Sequence, residues 1–324
     1  MTADVSIIIP TYNVAPYIQR AVASAFAQQG VAVEVILVDD CSTDASWDII
    51  SRLTDPRITR IRMPHNQGPS TARNAAIAAA TAPWIAVLDG DDAFHPERLQ
   101  QMIRLAQEKQ ADIVVDNLHV RRETDSADYL MFPTDWIPAS GMLDLAHFIR
   151  GNQSFFGGYA LGYLKPIFSA EFLHRHKLMY DPAVSIGEDY LFLAEALSCG
   201  AKCAIHPDAY YFYTMRAGST SHRLHSEDVD KLAHADANLW SRRQMAPAAA
   251  QAQILRIRKI QEAYAYTRLV TGIKQLNVRE IWKAICLQPT ALRHLWRPVW
   301  VRIQRVTRSN IHARQKNEKM GVGK

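Results

Sequence analysis

The chain has 324 residues, of which 48% are apolar and 21% charged, and its net charge is +5. This composition excludes disordered, collagen-like and low-complexity chains, and the length suffices to bury a core without staples. The charge is unevenly spread: residues 251–324 carry 16 Lys and Arg against three Glu, while residues 1–250 are net acidic.

Val5 to Ile9 is a β-branched run stopped by Pro10, which reads as a buried parallel strand. Residues 16–29 place Ile18, Ala21, Val22, Ala25 and Phe26 at helical spacing, and Gly30 closes that helix. A second strand, 33–38, runs into Asp39-Asp40, and Asp44 can cap a helix reaching about Leu53. A third strand at 58–63, a small-residue helix at 71–80, a fourth strand at 84–88, a helix at 96–107 and a fifth strand at 113–115 follow. This alternation implies an α/β domain with a parallel sheet covered on both faces. It is lost after residue 116, where strands, loops and aromatics dominate up to a helix at 188–197. From about Glu227 the chain reads as helical to its end, broken at Pro289 and Pro298. No run of about 18 apolar residues could span a membrane. No signal peptide is evident at the N-terminus, and the four cysteines lack a CxxC pair, so reduced thiols in a cytoplasmic protein are expected.

Ligands of open parallel sheets bind beyond the carboxyl ends of the strands, and four polar clusters fall there. Pro10-Thr11-Tyr12-Asn13 follows strand one. Asp39-Asp40 follows strand two, where a carboxylate can accept hydrogen bonds from a base or ribose. Asp89-Gly90-Asp91-Asp92 follows strand four. Clustered carboxylates repel, which favours a divalent cation such as Mg²⁺ or Mn²⁺, and Gly90 lets the backbone approach a ligand. A turn with Asp92 as a helix cap is the plainer alternative. The loop from Asn66 to Ser70 opens a helix that carries Arg73, an arrangement suited to phosphate, although the same residues make an ordinary capped helix start. Further on, Glu188-Asp189 begins a helix, where acids often serve only as dipole partners.

Together these segments resemble the inverting glycosyltransferases of family 2, with the GT-A nucleotide-diphospho-sugar transferase fold. The resemblance runs from Val5 to about His222. It rests on Ile-Ile-Pro-Thr-Tyr-Asn (8–13), Val-Asp-Asp-Cys-Ser-Thr-Asp (38–44), Asn-Gln-Gly-Pro-Ser-Thr-Ala-Arg-Asn (66–74), Leu-Asp-Gly-Asp-Asp (88–92) and Gly-Glu-Asp (187–189). Residues 185–192 and 216–223 look most like transferases that build succinoglycan-type bacterial exopolysaccharides. The resemblance implies a mostly parallel central sheet with helices on both faces and a helical C-terminal extension. Residues 1–225 would form the catalytic domain, with a nucleotide-sugar half to 116, and 226–324 the extension.

The resemblance also implies roles. Thr11, Tyr12 and Asp40 would hold uracil, and Pro10, Asp39, Gly90 and Glu188 would complete the nucleotide-sugar site. Asp89 and Asp91 match an Asp-x-Asp motif at the ribose and a Mn²⁺ or Mg²⁺ ion, which Asp92 would share. Arg73 would contact the donor and Asp189 would be the catalytic base. Two positions depart from the family pattern: Cys41 and Ala76 stand where glycine is usual. The Gln-x-x-Arg-Trp motif of processive synthases is missing, which implies single additions of hexose from a UDP-sugar to a lipid-linked saccharide acceptor. A nucleotidyltransferase would need a glycine-rich loop after strand one, which is not there. The other alternative is a non-catalytic, membrane-associated protein retaining the fold.

The basic stretch 290–319 interleaves Leu292, Leu295, Trp296, Trp300 and Ile303 with arginines, a pattern suited to an anionic membrane surface. A peripheral place on the inner face of the cell membrane is therefore expected. Packing of this stretch on the body is the alternative, and no nucleic-acid module accompanies it. His222 is weighed as a minor phosphate or metal contact, Tyr210 to Tyr213 as core and pocket wall, and Cys199 and Cys203 as no zinc site.

Overall fold

A computed structural model describes residues 2–122, 128–152, 160–216 and 226–295. The sheet begins with β1 (Val5–Thr11), β2 (Val33–Asp39), β3 (Ile58–Arg62) and β4 (Trp84–Val87), all parallel, in the order β3-β2-β1-β4. Both faces are covered, so Val5, Ile7, Ile8 and Ile9 are wholly buried, as a continuous β-branched run requires. Helices α1 (Ile18–Phe26), α2 (Ser46–Ser51) and α3 (Pro69–Ala79) connect these strands. α1 is shorter than the 16–29 expected, because a turn closed by Tyr17 N–H on the Val14 carbonyl precedes it. Asp44 lies just outside α2 and accepts from the Ser46 N–H at 2.8 Å. α3 starts two residues earlier than expected, with Pro69 in its first turn.

Beyond β4 the sheet continues β8-β6-β9-β5. β8 (Ile167–Ser169) is antiparallel to β4 and to β6 (Ile113–Arg122), while β6 and β9 (Cys203–Met215) run parallel. Short strands β5 (Ala93–Phe94) and β7 (Tyr129–Leu130) pair antiparallel with β9 and β6. The sheet is therefore mixed, with β5, β7 and β8 running against the common direction. Helices α4 (Arg98–Lys109), α5 (Leu145–Gly151), α6 (Ala170–His176) and α7 (Glu188–Ser198) complete this part. A fully buried ion pair, Arg98 Nη2 to Asp116 Oδ1 at 2.8 Å, joins α4 to β6, and the same Nη2 donates to the Lys165 carbonyl ahead of β8.

The C-terminal helices are α8 (Ser226–Ser241), α9 (Pro247–Lys274) and α10 (Val278–Leu287), followed by a 3-10 turn at Pro289–His294. The chain divides into two compact units, Met1–Ile257 and Arg258–Lys324. The division thus falls later than the residue-225 boundary expected from sequence. The reason is a buried network: Asp236 of α8 accepts from Gln253 and pairs with Arg256, both on α9. Arg256 donates to the Asn152 carbonyl at 2.7 Å and lies 3.5 Å from the Tyr190 ring centre. These contacts tie α8 and the start of α9 to α5 and α7. Within the second unit, Glu280 of α10 binds Arg268 of α9. Glu262 accepts from Arg293 and His294.

Candidate active site

Parallel strands deliver their carboxyl ends to one side of the sheet. Thr11 and Asp39 are register partners at the ends of β1 and β2, and Asp89 to Asp92 leave β4 on that same side. β8 runs the other way, with Ile167 opposite Ala86, so Lys165, which leads into β8, also arrives there. β9 shares the direction of β6 and brings Thr214 and Arg216 to this end.

The first part of the site is the Asp39-Asp40 corner. Both residues are buried. Asp40 accepts from the backbone N–H groups of Gln67 and Gly68, each at 2.8 Å, which fixes the loop that opens α3. Burial pushes its carboxyl up despite these bonds. Asp39 Oδ2 accepts from Ser42 N–H at 3.1 Å, while its Oδ1 is buried with no hydrogen-bond partner among the described residues. Thr11 donates to the Val38 carbonyl, and the Tyr12 ring is exposed beside it. Between them, Cys41 has φ +58°, a left-handed conformation that explains why glycine is usual at this position.

The second part is an ion network from four segments. Arg73 of α3 donates to Glu188 Oε1 at 2.8 Å and to Asp89 Oδ1 at 2.9 Å. It also lies 3.6 Å from Asp189 Oδ1. Lys165 Nζ sits 2.6 Å from Asp189 Oδ2 and 2.7 Å from Asp89 Oδ2. Two buried cations thus hold three carboxylates in place. Burial opposes charge on Asp89, but Lys165 and Arg73 outweigh it and hold its carboxyl well below the usual range. Burial and neighbouring Asp189 push Glu188 up. Lys165 stays protonated: burial opposes its charge, yet Asp189 and Asp89 raise its pKa well above the usual lysine value. Glu188 and Asp189 can enter this cluster because Gly187, at φ +84°, turns the chain into α7. A Cβ there would also crowd Leu232, with contacts down to 3.0 Å.

The third part concerns the acids after Asp89. Asp91 pairs with Arg216 at 2.6 Å, and burial and Asp89 push its carboxyl up. Arg20 Nη2 donates to the Asp91 carbonyl and to Thr214 Oγ1, both at 2.5 Å. Gly90 lies against β1, where a Cβ would come within 3.1 Å of Thr11 and Val14 side-chain carbons. The missing side chain lets this turn sit against the Thr11 corner. Asp92 is turned into the sheet and accepts from Tyr211 Oη and Thr214 N–H, each at 2.7 Å. Asp92 thus does not join Asp89 and Asp91 in the three-carboxylate set expected from sequence. Among the described residues no three His, Cys, Asp or Glu side chains are grouped to hold an ion. Asp91 nonetheless provides a hard oxygen donor, and Mg²⁺ commonly takes one or two carboxylates and completes its shell with phosphate oxygens. The carboxylate of Asp91 fits such an ion, with Asp89, whose two oxygens are held by Arg73 and Lys165, beside it.

The structure therefore brings together Thr11, Asp39, Asp40, Arg73, Asp89, Asp91, Glu188 and Asp189. Lys165, Arg216 and Arg20 also reach the site without having been expected there, while Tyr211 lies in the core, as expected, and bonds Asp92. Lys165 had a signal: a lone lysine within the apolar run Leu161 to Phe168 needs buried partners. His222 lies outside the described residues, as does the 290–319 stretch beyond Leu295. Cys199 and Cys203 are free thiols.

Comparison with known proteins identifies the family. Residues 6–172 match the family model described as glycosyl transferase family 2. The chain is 40% identical over 309 residues to the succinoglycan biosynthesis protein ExoO of Rhizobium meliloti, covering 95% of this chain and 88% of that protein. It is 34% identical to the Escherichia coli UDP-Glc:alpha-D-GlcNAc-diphosphoundecaprenol beta-1,3-glucosyltransferase WfaP over 119 residues, 37% of this chain and 47% of that one. Among solved structures, S. aureus TarS 1–349 in complex with UDP-GlcNAc aligns with a TM-score of 0.64 at 19% identity, covering 89% of this chain and 79% of TarS. That likeness shows the fold.

Proposed function

Since the chain belongs to glycosyl transferase family 2 and is a glycosyltransferase of the exopolysaccharide-biosynthesis type with the GT-A fold, we propose that it moves one hexose per encounter from a UDP-sugar to a lipid-linked saccharide, with inversion. The observation that carries this is the convergence of Asp89 and Asp91, after β4, with Asp189, at the start of α7: Arg73 and Lys165 hold Asp89 beside Asp189, and Arg216 holds Asp91.

The uracil lies between Tyr12 and the Asp39-Asp40 corner, with Pro10 and Thr11 as its floor. Asp39 Oδ1 is the acceptor that lacks a donor from the described chain, and the base N–H supplies one. Asp40 shapes the pocket by holding the 66–68 loop. Asp89 and Gly90 line the ribose, and Arg73 and Glu188 frame the sugar-diphosphate. A Mn²⁺ or Mg²⁺ ion, held by Asp91 with Asp89 beside it, would offset charge on the departing diphosphate when bound.

The chemistry is a single displacement. The acceptor oxygen bonds to the anomeric carbon as the bond from that carbon to the UDP oxygen breaks. UDP leaves with the bonding pair, and the hydroxyl proton passes to Asp189. Lys165 occupies Asp189 Oδ2, so Oδ1 takes the proton. The Lys165 hydrogen bond, with Arg73 3.6 Å from Oδ1, orients the carboxylate. The lipid-linked acceptor draws support from the name of WfaP, and the UDP donor from the TarS complex. The basic 290–319 stretch would hold the enzyme against the inner face of the membrane, beside such an acceptor.

The test is Asp189→Asn in a single-turnover assay with UDP-sugar and a diphosphate-lipid-linked sugar. A positioned base contributes roughly 10²–10⁴-fold, so transfer should fall by that much while UDP binding stays within a few-fold. Retained turnover in a folded variant would refute the base assignment.

A further inference from the structure

The second compact unit carries an apolar surface that its own helices leave open. On α10, Val278, Trp282 and Cys286 recur every four residues and so form one stripe. Val278 is 76% exposed and Trp282 66%. The helix does not need this stripe for packing. Its other side is already engaged: Ala284 is buried, Glu280 binds Arg268 of α9, and Ile281 lies close against Gly272. Immediately before α10, Leu276 is 86% exposed. It sits at φ +53°, a conformation disfavoured for a side chain of this kind, in a turn where glycine or asparagine would serve a water-facing role better. Ile273 and Leu287 extend the exposed apolar area.

Cations flank the patch. Lys274, Arg279 and Lys283 lie on the same exposed turn and helix, and of these Lys283 is paired with Glu280 at 3.0 Å. Residues 258–324 contain fifteen Lys and Arg against three Glu. An apolar ridge with tryptophan at its edge and basic residues beside it matches the boundary between lipid headgroups and acyl chains. Among the described residues no helix is long and apolar enough to cross a membrane, so contact here is interfacial.

We infer that the α9–α10 corner, led by Leu276, Val278 and Trp282, inserts into the interface of an anionic lipid membrane. This deepens the membrane part of the reading above, which placed contact at 290–319. The corner is a separate element with its own apolar contribution; the cations draw the protein to the surface and the three side chains anchor it.

The experiment is vesicle flotation of the full chain with phosphatidylcholine alone and with about one third phosphatidylglycerol. The variants are Leu276→Ser with Trp282→Ser, and separately Lys274→Gln with Arg279→Gln. All four positions are exposed and lie outside the proposed donor site, so circular-dichroism melting and UDP binding should match the wild type. The wild type is expected to float with anionic vesicles, the apolar pair to lose about tenfold or more of that affinity, and the charge pair to lose binding most at low salt. Should either pair melt early, the other decides. If the wild type floats and both variants float equally well, the corner is not the contact and the 290–319 stretch alone carries the membrane reading. If the wild type does not float, both fail. A wild type that dimerises without floating, and is monomeric after Leu276→Ser with Trp282→Ser, would make this corner a contact between copies and overturn the inference.

Discussion

Lys165→Met probes the ion network directly. The side chain is 6% exposed and its ammonium lies within 2.7 Å of both Asp89 and Asp189. Methionine fills similar volume but leaves Asp89, Glu188 and Asp189 facing Arg73 alone. Removing one partner of a buried ion pair costs about 3–5 kcal/mol, because the remaining charge is stranded. For a unit that runs to Ile257, this corresponds to a fall in Tm of roughly 10 °C. The pH dependence follows from Asp89. Its folded pKa is depressed in the wild type, so its stabilising contribution is present above the ordinary carboxylate pKa and is lost as pH falls through the folded value. Without Lys165, Arg73 alone opposes burial, so the carboxyl sits higher than in the wild type and a proton can relieve the stranded charge. The deficit should be greatest near pH 8 and narrow towards about pH 5. Melting of both proteins by circular dichroism across this range measures it. A Tm within about 2 °C of wild type near pH 8, or a deficit that widens on acidification, would refute the reasoning.

Three other perturbations report on separate parts of the molecule. Cys41→Gly should raise stability by about 0.5–1 kcal/mol, since φ +58° suits glycine; a lower urea midpoint would contradict this. Arg98→Leu should destabilise by about 3 kcal/mol or more, because Asp116 is left buried and the Lys165 carbonyl loses its donor; an unchanged urea midpoint would count against that pair. In the second unit, burial raises the Glu262 carboxyl, but hydrogen bonds from His294, Arg293 and Thr290 outweigh it and hold it at about 2. Stability from this group is present above its unfolded pKa and is lost as pH falls towards about 2. Helical signal lost on acidification should therefore depend less on pH in Glu262→Gln, and an identical acid profile would oppose the assignment.

Much of the first half was legible because its signals are local. Strands β1, β2 and β4 are short apolar runs ending in polar clusters, and a parallel sheet places those endings together. Boundaries moved where a turn or Pro69 took over the first helical residues. Beyond residue 116 the determinants are long-range. β8 has only three residues, too few for a pattern, yet its reversed direction delivers Lys165 to the site. β9 mixes exposed and buried positions without alternation, so Tyr211 and Thr214 gave no sign that they would take both oxygens of Asp92. Sequence spacing cannot distinguish three acids facing one ion from two facing the site and one facing the sheet. Asp40 likewise lies where expected, but its role in holding the 66–68 loop depends on backbone donors that no motif reports.

The most direct test of the donor site is calorimetric titration of UDP into the full chain, with and without Mn²⁺, for wild type and Asp91→Asn. The account expects UDP to bind more tightly with Mn²⁺, and that gain to vanish in Asp91→Asn while the fold is kept. Absence of UDP binding in either condition, or an undiminished Mn²⁺ effect in Asp91→Asn, would contradict it.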